Sequence, residues 1–226
     1  GHKETLKLCN ILLIKNDMYI RLNVEKLNIE KMYSMLLKEK IDVAEHKDLK
    51  YFFRVNSGRD KILDNSLFKS GIISIQDPAS GAVINLLDLQ KDECVLDACA
   101  APGTKSLLMA QKVGINGKID AYDINQNRVS KGKKDILRHN YKNIDWYVAD
   151  ASKDEYPTYN KILIDAPCSG TGVIGRRPDI KWRLKEGDIK KISVLQKSIL
   201  ANMCKYLEPG GKIIYSTCSL EKEENE

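Results

Sequence analysis

The sequence predicts a parallel, doubly wound α/β domain preceded by a small α+β unit. Two observations carry this. From residue 94 onward, short apolar runs alternate with segments of helical period, and the runs stop at clusters of Asp, Gly, Pro or Ser. Before residue 71 the order is instead strand, helix, strand, with closely spaced turn residues. At 226 residues, 42% of them hydrophobic, the chain has material for one catalytic domain plus an appendage.

In the first part, residues 19–24 and 50–55 read as short strands, and residues 28–40 as a helix with Ile29, Met32, Leu36 and Leu37 on one face. Gly1-His2 reads as a cloning remnant. The turns around Asn56-Ser57-Gly58 and the change of pattern near Gly71 divide the chain into 1–71, the small unit, and 72–226, the larger domain. There, strands are expected at Cys94 to Ala98, Lys118 to Asp123, Trp146 to Asp150, Ile162 to Ala166 and Lys212 to Thr217. Helices are expected through Leu107 and Leu108, over 126–139, and from Asp188 to Leu207 before a Pro209-Gly210-Gly211 turn. Parallel order puts every strand's carboxyl end on one edge, where ligands bind.

Composition excludes several functions. The six cysteines lack the pairing of a zinc site and are too sparse for a disulfide framework, and His2, His46 and His139 lie far apart. We expect no metal and no membrane span, a monomer, and a cytoplasmic protein (nucleolar or organellar in a eukaryote), because no apolar run or export signal stands out. The net charge of +6 is compatible with a nucleic-acid partner without demonstrating one.

The first strand of the larger domain runs into Asp97-Ala98-Cys99-Ala100-Ala101-Pro102-Gly103-Thr104-Lys105. Small residues let backbone approach a ligand, and the next helix offers free N–H groups. Cys99, Ala100, Ala101, Pro102, Gly103, Thr104 and Lys105 are therefore candidates to bind a cofactor. Neither the phosphate loop G-x-x-x-x-G-K-[ST] nor the dinucleotide pattern G-x-G-x-x-G is present. Asp123, ending the second strand, is placed to accept from both ribose hydroxyls, and Asp150, ending the third, to meet an adenine amino group. Either acid alone reads equally well as a helix cap, but in this order they favour a nucleoside cofactor.

The fourth strand ends in Asp165-Ala166-Pro167-Cys168 and the fifth in Ser216-Thr217-Cys218-Ser219. Cys9, Cys94 and Cys204 read as core filler, and Cys99 as structural or cofactor-lining. Cys168 and Cys218 follow strand ends beside Gly, Ser or Pro, where a reactive thiol meets substrate. The basic stretch Arg176 to Arg183 contains Trp182 and reads as an RNA clasp or as a solvated loop with Trp182 in the core; the cations of the helix from Arg128 read as a solvated face.

Residues from about 71 to 226 resemble the Sun/Nop family of RNA cytosine-carbon-5 methyltransferases, most nearly the bacterial type that acts on small-subunit ribosomal RNA. The matching segments are Ile75-Gln76-Asp77 with Ala79-Ser80, Cys99 to Lys105, Lys161 to Gly170, Arg177 to Trp182, Leu207 to Gly211, and Tyr215 to Ser219 followed by Glu224-Asn225-Glu226. The resemblance implies a class I, Rossmann-like fold using S-adenosyl-L-methionine, with RNA as partner and residues 1–71 as an RNA-binding extension. It implies that Cys218 attacks cytosine carbon 6, that Cys168 assists product release, and that Asp165 holds the cytosine edge. Lys105 would favour the thiolate, and Arg128 and Asp165 complete the cofactor-binding set. Thr104 and Asn160 depart from a glycine and an aspartate usual in the family. Related folds continue past the fifth strand, so we expect a chain truncated at that end. Transfer RNA as substrate, a DNA-type enzyme with Cys168 as nucleophile, and a noncatalytic RNA-binding or assembly factor remain alternatives.

Overall fold

The computed structural model describes residues 1–14 and 17–226. The first unit comprises α1 (His2–Leu13), β1 (Tyr19–Leu22), α2 (Ile29–Lys38), β2 (Asp42–Glu45), β3 (Phe52–Ser57), α3 (Ser66–Lys69) and β4 (Ile73–Ile75). Its four strands form an antiparallel sheet in the order β2-β3-β1-β4. α2 starts where the Asn28 side chain accepts the Lys31 N–H at 2.9 Å, a favoured N-cap. Met32 and Leu36 are buried on its inner face, joined by half-buried Tyr33. Leu37, expected inward, is 70% exposed, because the sheet covers the stripe i, i+3, i+4, i+7 from Ile29 and leaves the next position outside. The sheet reaches Ile75 through β4, four residues beyond Gly71.

The second unit comprises α4 (Pro78–Leu86), β5 (Cys94–Asp97), α5 (Thr104–Val113), β6 (Lys118–Asp123), α6 (Gln126–His139), β7 (Ile144–Val148), β8 (Tyr159–Asp165), α7 (Ile180–Arg183), α8 (Asp188–Cys204), β9 (Leu207–Ser216) and α9 (Lys222–Asn225). Its five strands are all parallel, in the order β7-β6-β5-β8-β9. The expected doubly wound sheet is thus present. Val95, Leu96, Ile162, Leu163 and Ile164 are fully buried, each contributing about 1.5–3 kcal/mol on burial. Chain order reverses between β5 and β8, and that switch point opens a crevice at the carboxyl ends. β7 starts and stops two residues earlier than expected, leaving Asp150 beyond its end. β9 begins at Leu207 because Pro209-Gly210-Gly211 forms a bulge: Tyr159 pairs with Leu207, and Lys161 with Lys212.

The two units share a polar joint. Arg21 of β1, buried, donates through Nε to Gln76 Oε1 at 2.6 Å and through Nη1 to Gln111 of α5. Gln76 in turn donates to the Thr104 carbonyl at 3.2 Å. His139, also buried, lies 3.0 Å from the Gly71 carbonyl through Nδ1 and 3.2 Å from the Ser74 hydroxyl through Nε2. Burial, reinforced by Arg138, pushes this imidazole down to about 4, so it is neutral, with Nδ1 donating and Nε2 accepting. Among the described residues, no helix is long and apolar enough to cross a membrane.

Candidate active site

The loop after β5 is drawn over the sheet edge by main-chain bonds and one carboxylate. Ala98 N–H donates to Leu163 at 2.9 Å and Ala100 N–H to Tyr122 at 2.7 Å. Asp123 accepts the Ala101 N–H at 3.2 Å and the Asn125 N–H at 3.0 Å, and pairs with Arg128 at 3.2 Å. Arg128 also donates to the Ala101 carbonyl, so Asp123, Arg128 and the loop form one unit. Gly103 caps α5 at φ +109, and a Cβ there would stand 2.9 Å from the Trp146 ring. Only glycine tolerates both conditions.

Two further acids stand at strand ends beside this loop. Asp150 spends its Oδ1 on the Ser152 N–H and hydroxyl, at 2.9 and 2.6 Å; its carboxylate holds its own turn. Asp97, which the sequence reading passed over, is buried, accepts the Ser106 hydroxyl at 2.7 Å through Oδ2, and has no partner on Oδ1. Burial raises its pKa to about 7. The signal for it was available: like Asp123 and Asp165, it is an acid at the carboxyl end of a strand. Cys99, in the same loop, has its thiol pushed up by burial and by Asp97, which opposes formation of a thiolate there.

Across the crevice, parallel pairing of β8 with β9 sets Asp165 opposite Ser216. Cys168 and Cys218 therefore emerge side by side, their sulfurs 3.1 Å apart, with the Cys218 N–H directed at Cys168 Sγ at 3.3 Å. The two are electrostatically unequal. A hydrogen bond from Cys168 lowers Cys218 to about 7 against the opposing effects of desolvation and Asp165, with help from Arg177; that same bond raises Cys168. The bond between the sulfurs favours charge on Cys218, whereas the Cys218 N–H directed at Cys168 Sγ favours it on Cys168. Lys105 Nζ pairs with Asp165 Oδ2 at 2.6 Å rather than with either thiol, and Ser216 donates to Oδ1 at 3.0 Å. A cleft of about 440 Å³ is bounded by Asp77, Ser80, Lys105, Asp165, Cys168 and Cys218. A larger one, about 550 Å³ beside Arg21 and Tyr51, contains no thiol or strand-end acid and is not assigned this chemistry.

Three cysteines overturn the core-filler reading. Cys9, Cys94 and Cys204 are all exposed, because Cys94 opens β5 at its solvent edge and Cys204 ends α8, while Cys9 lies on the exposed α1. Trp182 is 86% exposed beside Arg183, which removes the core alternative for it. On α6 the buried residues include Val129 and Ile136, and Lys131, Lys133 and Lys134 are exposed, as an amphipathic helix requires.

A parallel sheet with a cofactor-type loop at its switch point and reactive groups after the two neighbouring strands defines a class I, Rossmann-like methyltransferase fold. The chain belongs to the 16S rRNA methyltransferase RsmB/F family, whose model matches residues 84–226. It is 34% identical over 230 residues to a probable ribosomal RNA small subunit methyltransferase B of Bacillus subtilis, covering 100% of this chain and 51% of that protein. The Shewanella oneidensis ribosomal RNA small subunit methyltransferase B is 40% identical over 170 residues, covering 70% of this chain and 38% of its own. The chain thus spans about half or less of the length of these relatives. Among solved structures, a methyltransferase homolog from Pyrococcus horikoshii superposes with a TM-score of 0.87 at 28% identity, over 99% of this chain and 71% of that one. NSun6 from the same organism shares the fold, with a TM-score of 0.89 at 22% identity over 100% of this chain and 82% of its own.

Proposed function

We propose that the chain carries an S-adenosylmethionine-dependent site that methylates carbon 5 of a cytosine in RNA through a covalent Cys218 adduct. The observation that carries this reading is the thiol pair, two sulfurs 3.1 Å apart beside the Lys105–Asp165 pair. The residues at the β5 end fit the cofactor. Ala98, Ala100 and Ala101 are small and buried, Asp123 retains acceptor capacity for ribose hydroxyls beyond the backbone it holds, and Asp97 offers an unpartnered buried oxygen. A cationic ligand group would restore the Asp97 charge that burial suppresses. Loop residues Cys99 to Lys105, with Arg128, would enclose the nucleoside, and Asp150, just past the end of β7, would face its base. Bound S-adenosylmethionine supplies the methyl group.

The chain's own groups supply the rest. Cytosine carbon 5 is too weak a nucleophile to be methylated unaided; addition of the Cys218 thiolate to carbon 6 breaks the ring double bond and moves its electron pair to carbon 5. After methylation, the carbon 5 proton leaves to a base and the carbon–sulfur bond breaks, restoring the double bond and the thiolate. Cys168 assists this release, and Asp165, oriented by Lys105 and Ser216, holds the cytosine edge. Attack from the ring face requires an unstacked base. The names of the curated relatives favour small-subunit ribosomal RNA as substrate.

Covalent capture tests the assignment. With RNA carrying 5-fluorocytosine, the parent and Cys168→Ala should form a stable protein–RNA adduct, whereas Cys218→Ala should form none and lose at least ~1,000-fold in turnover. Adduct formation by Cys218→Ala, with none by Cys168→Ala, would transfer the nucleophile to Cys168. Absence of S-adenosylmethionine binding by calorimetry would favour a noncatalytic role.

A further inference from the structure

The thiols sit on two separate turns, and one buried side chain ties those turns together. Glu224 of α9 is 3% exposed. Its Oε2 accepts the Ser169 N–H at 3.0 Å; its Oε1 accepts the Ser219 hydroxyl at 2.6 Å and also the Ser169 hydroxyl. Ser169 directly follows Cys168, and Ser219 directly follows Cys218. From α8, Gln196 Nε2 donates to Glu224 Oε2 and to the Pro167 carbonyl, both at 2.9 Å, bracketing Cys168 from its other side. The carboxylate's acceptor sites are thus divided between the two turns and a long helix.

Other contacts do less. Asn225 accepts from Thr217 at 2.7 Å and donates to the Ser219 carbonyl at 3.1 Å, which shapes the Cys218 turn only. The Gly172 N–H to the Cys218 carbonyl, the contact between the Ser169 and Ser219 hydroxyls and the Leu220 N–H to Thr171 Oγ1, all at 3.0 Å, also cross between the turns, but none of them extends to α8 as Glu224 does through Gln196. Burial opposes the charge on Glu224, yet hydrogen bonds from Ser169, Ser219 and Gln196 outweigh it and keep the carboxyl below its ordinary value.

We infer that Glu224 is a positioning residue that sets the separation of Cys168 and Cys218, and thereby the hydrogen bond that makes Cys218 the nucleophile. The role of the pair in catalysis rests on the function proposed above; the geometry that Glu224 imposes does not. A glutamine at this position has the same shape, but it keeps the Ser169 N–H and Gln196 bonds only by turning its NH2 toward the Ser169 and Ser219 hydroxyls, which must reverse from donors to acceptors, and the charge-assisted bonds that hold the turns are lost. The turns then part, and Cys218 loses its donor.

The test is Glu224→Gln in the full chain, read first by the pH dependence of iodoacetamide alkylation at Cys218, mapped by peptide mass spectrometry. This measurement needs neither RNA nor cofactor. The alkylation midpoint should rise by about one pH unit as the thiolate loses its hydrogen bond. With RNA, turnover should fall about 10- to 100-fold while KM for RNA stays within about threefold, because the defect is misplacement rather than binding. If Glu224→Gln does not fold, Glu224→Asp, which keeps the charge but is one methylene short, should show the same shifts at smaller size. A folded variant with an unmoved Cys218 midpoint, even one with a lowered melting temperature, would overturn the inference. Parent protein that makes no 5-methylcytosine would overturn the proposed function and leave the alkylation result standing.

Discussion

The loop after β5 and the turns after β8 and β9 face one crevice but are held in opposite ways. The first is pinned by its own backbone: the Ala98 and Ala100 N–H groups bond neighbouring strands, and Asp123 grips Ala101 from below. The thiol turns are pinned mainly by side chains from elsewhere, Ser169 and Ser219 meeting Glu224, Thr217 meeting Asn225, and the Leu220 N–H meeting Thr171 Oγ1 at 3.0 Å. Backbone anchoring suits a cofactor cradle, which must present a fixed surface. Side-chain anchoring lets two thiols be tuned against each other while they stay open to a large substrate. A change in the cradle should therefore alter affinity, and a change at the turns should alter rate.

The largest effect that separates the two is expected from Asp123→Ala. It removes the acceptor that holds Ala101 and pairs with Arg128, and hydrogen bonds to a charged group are worth about 1.5–3 kcal/mol. Calorimetry should show S-adenosylmethionine affinity reduced about 10- to 100-fold, with the alkylation midpoint of Cys218 unmoved. Weakened affinity accompanied by a shifted midpoint would mean that the two regions are one coupled unit.

The next effect concerns the turns alone. Because Cys218 is lowered to about 7, its reactive, ionised form dominates above that pH and is lost as pH falls through it. Single-turnover adduct formation should be flat above about pH 8 and drop about fivefold from pH 7 to pH 6. In Cys168→Ala the midpoint should move up toward the ordinary thiol value of about 8.5. S-adenosylmethionine affinity should not follow either curve. A midpoint unaffected by Cys168→Ala would assign the lowering to Arg177 instead.

This division also explains what was legible in the sequence. The sheet could be read because its strands are local apolar runs and their ends carry Asp97, Asp123 and Asp165, so the shared edge follows from parallel order alone. The pairing of Cys168 with Cys218 was legible as a common edge, but the 3.1 Å separation was not, since it depends on Glu224, 55 residues from Ser169. The partner of Lys105 was hidden for the same reason: Asp165, 60 residues away, takes its ammonium. α1 was missed because its face is largely solvated, with Leu6 and Ile11 exposed, so no buried stripe marked it. Exposed cysteines were misread because burial statistics describe a residue type, whereas Cys94 and Cys204 stand at element ends.

The smallest effect extends the contrast beyond the crevice. Trp182 is 86% exposed between Lys181 and Arg183, on the segment that leads from the Cys168 turn into α8. An indole left in water on a basic segment contributes little to folding, but offers a stacking face for a single-stranded base beside the target. Trp182→Ala should leave the melting free energy within about 0.5 kcal/mol and weaken RNA binding by about 1 kcal/mol, roughly fivefold. It should leave both S-adenosylmethionine affinity and the Cys218 midpoint in place. Such a result would separate a third region, which recognises substrate without touching cradle or thiols. Destabilisation above that range would instead make Trp182 a packing residue and return the segment to the scaffold.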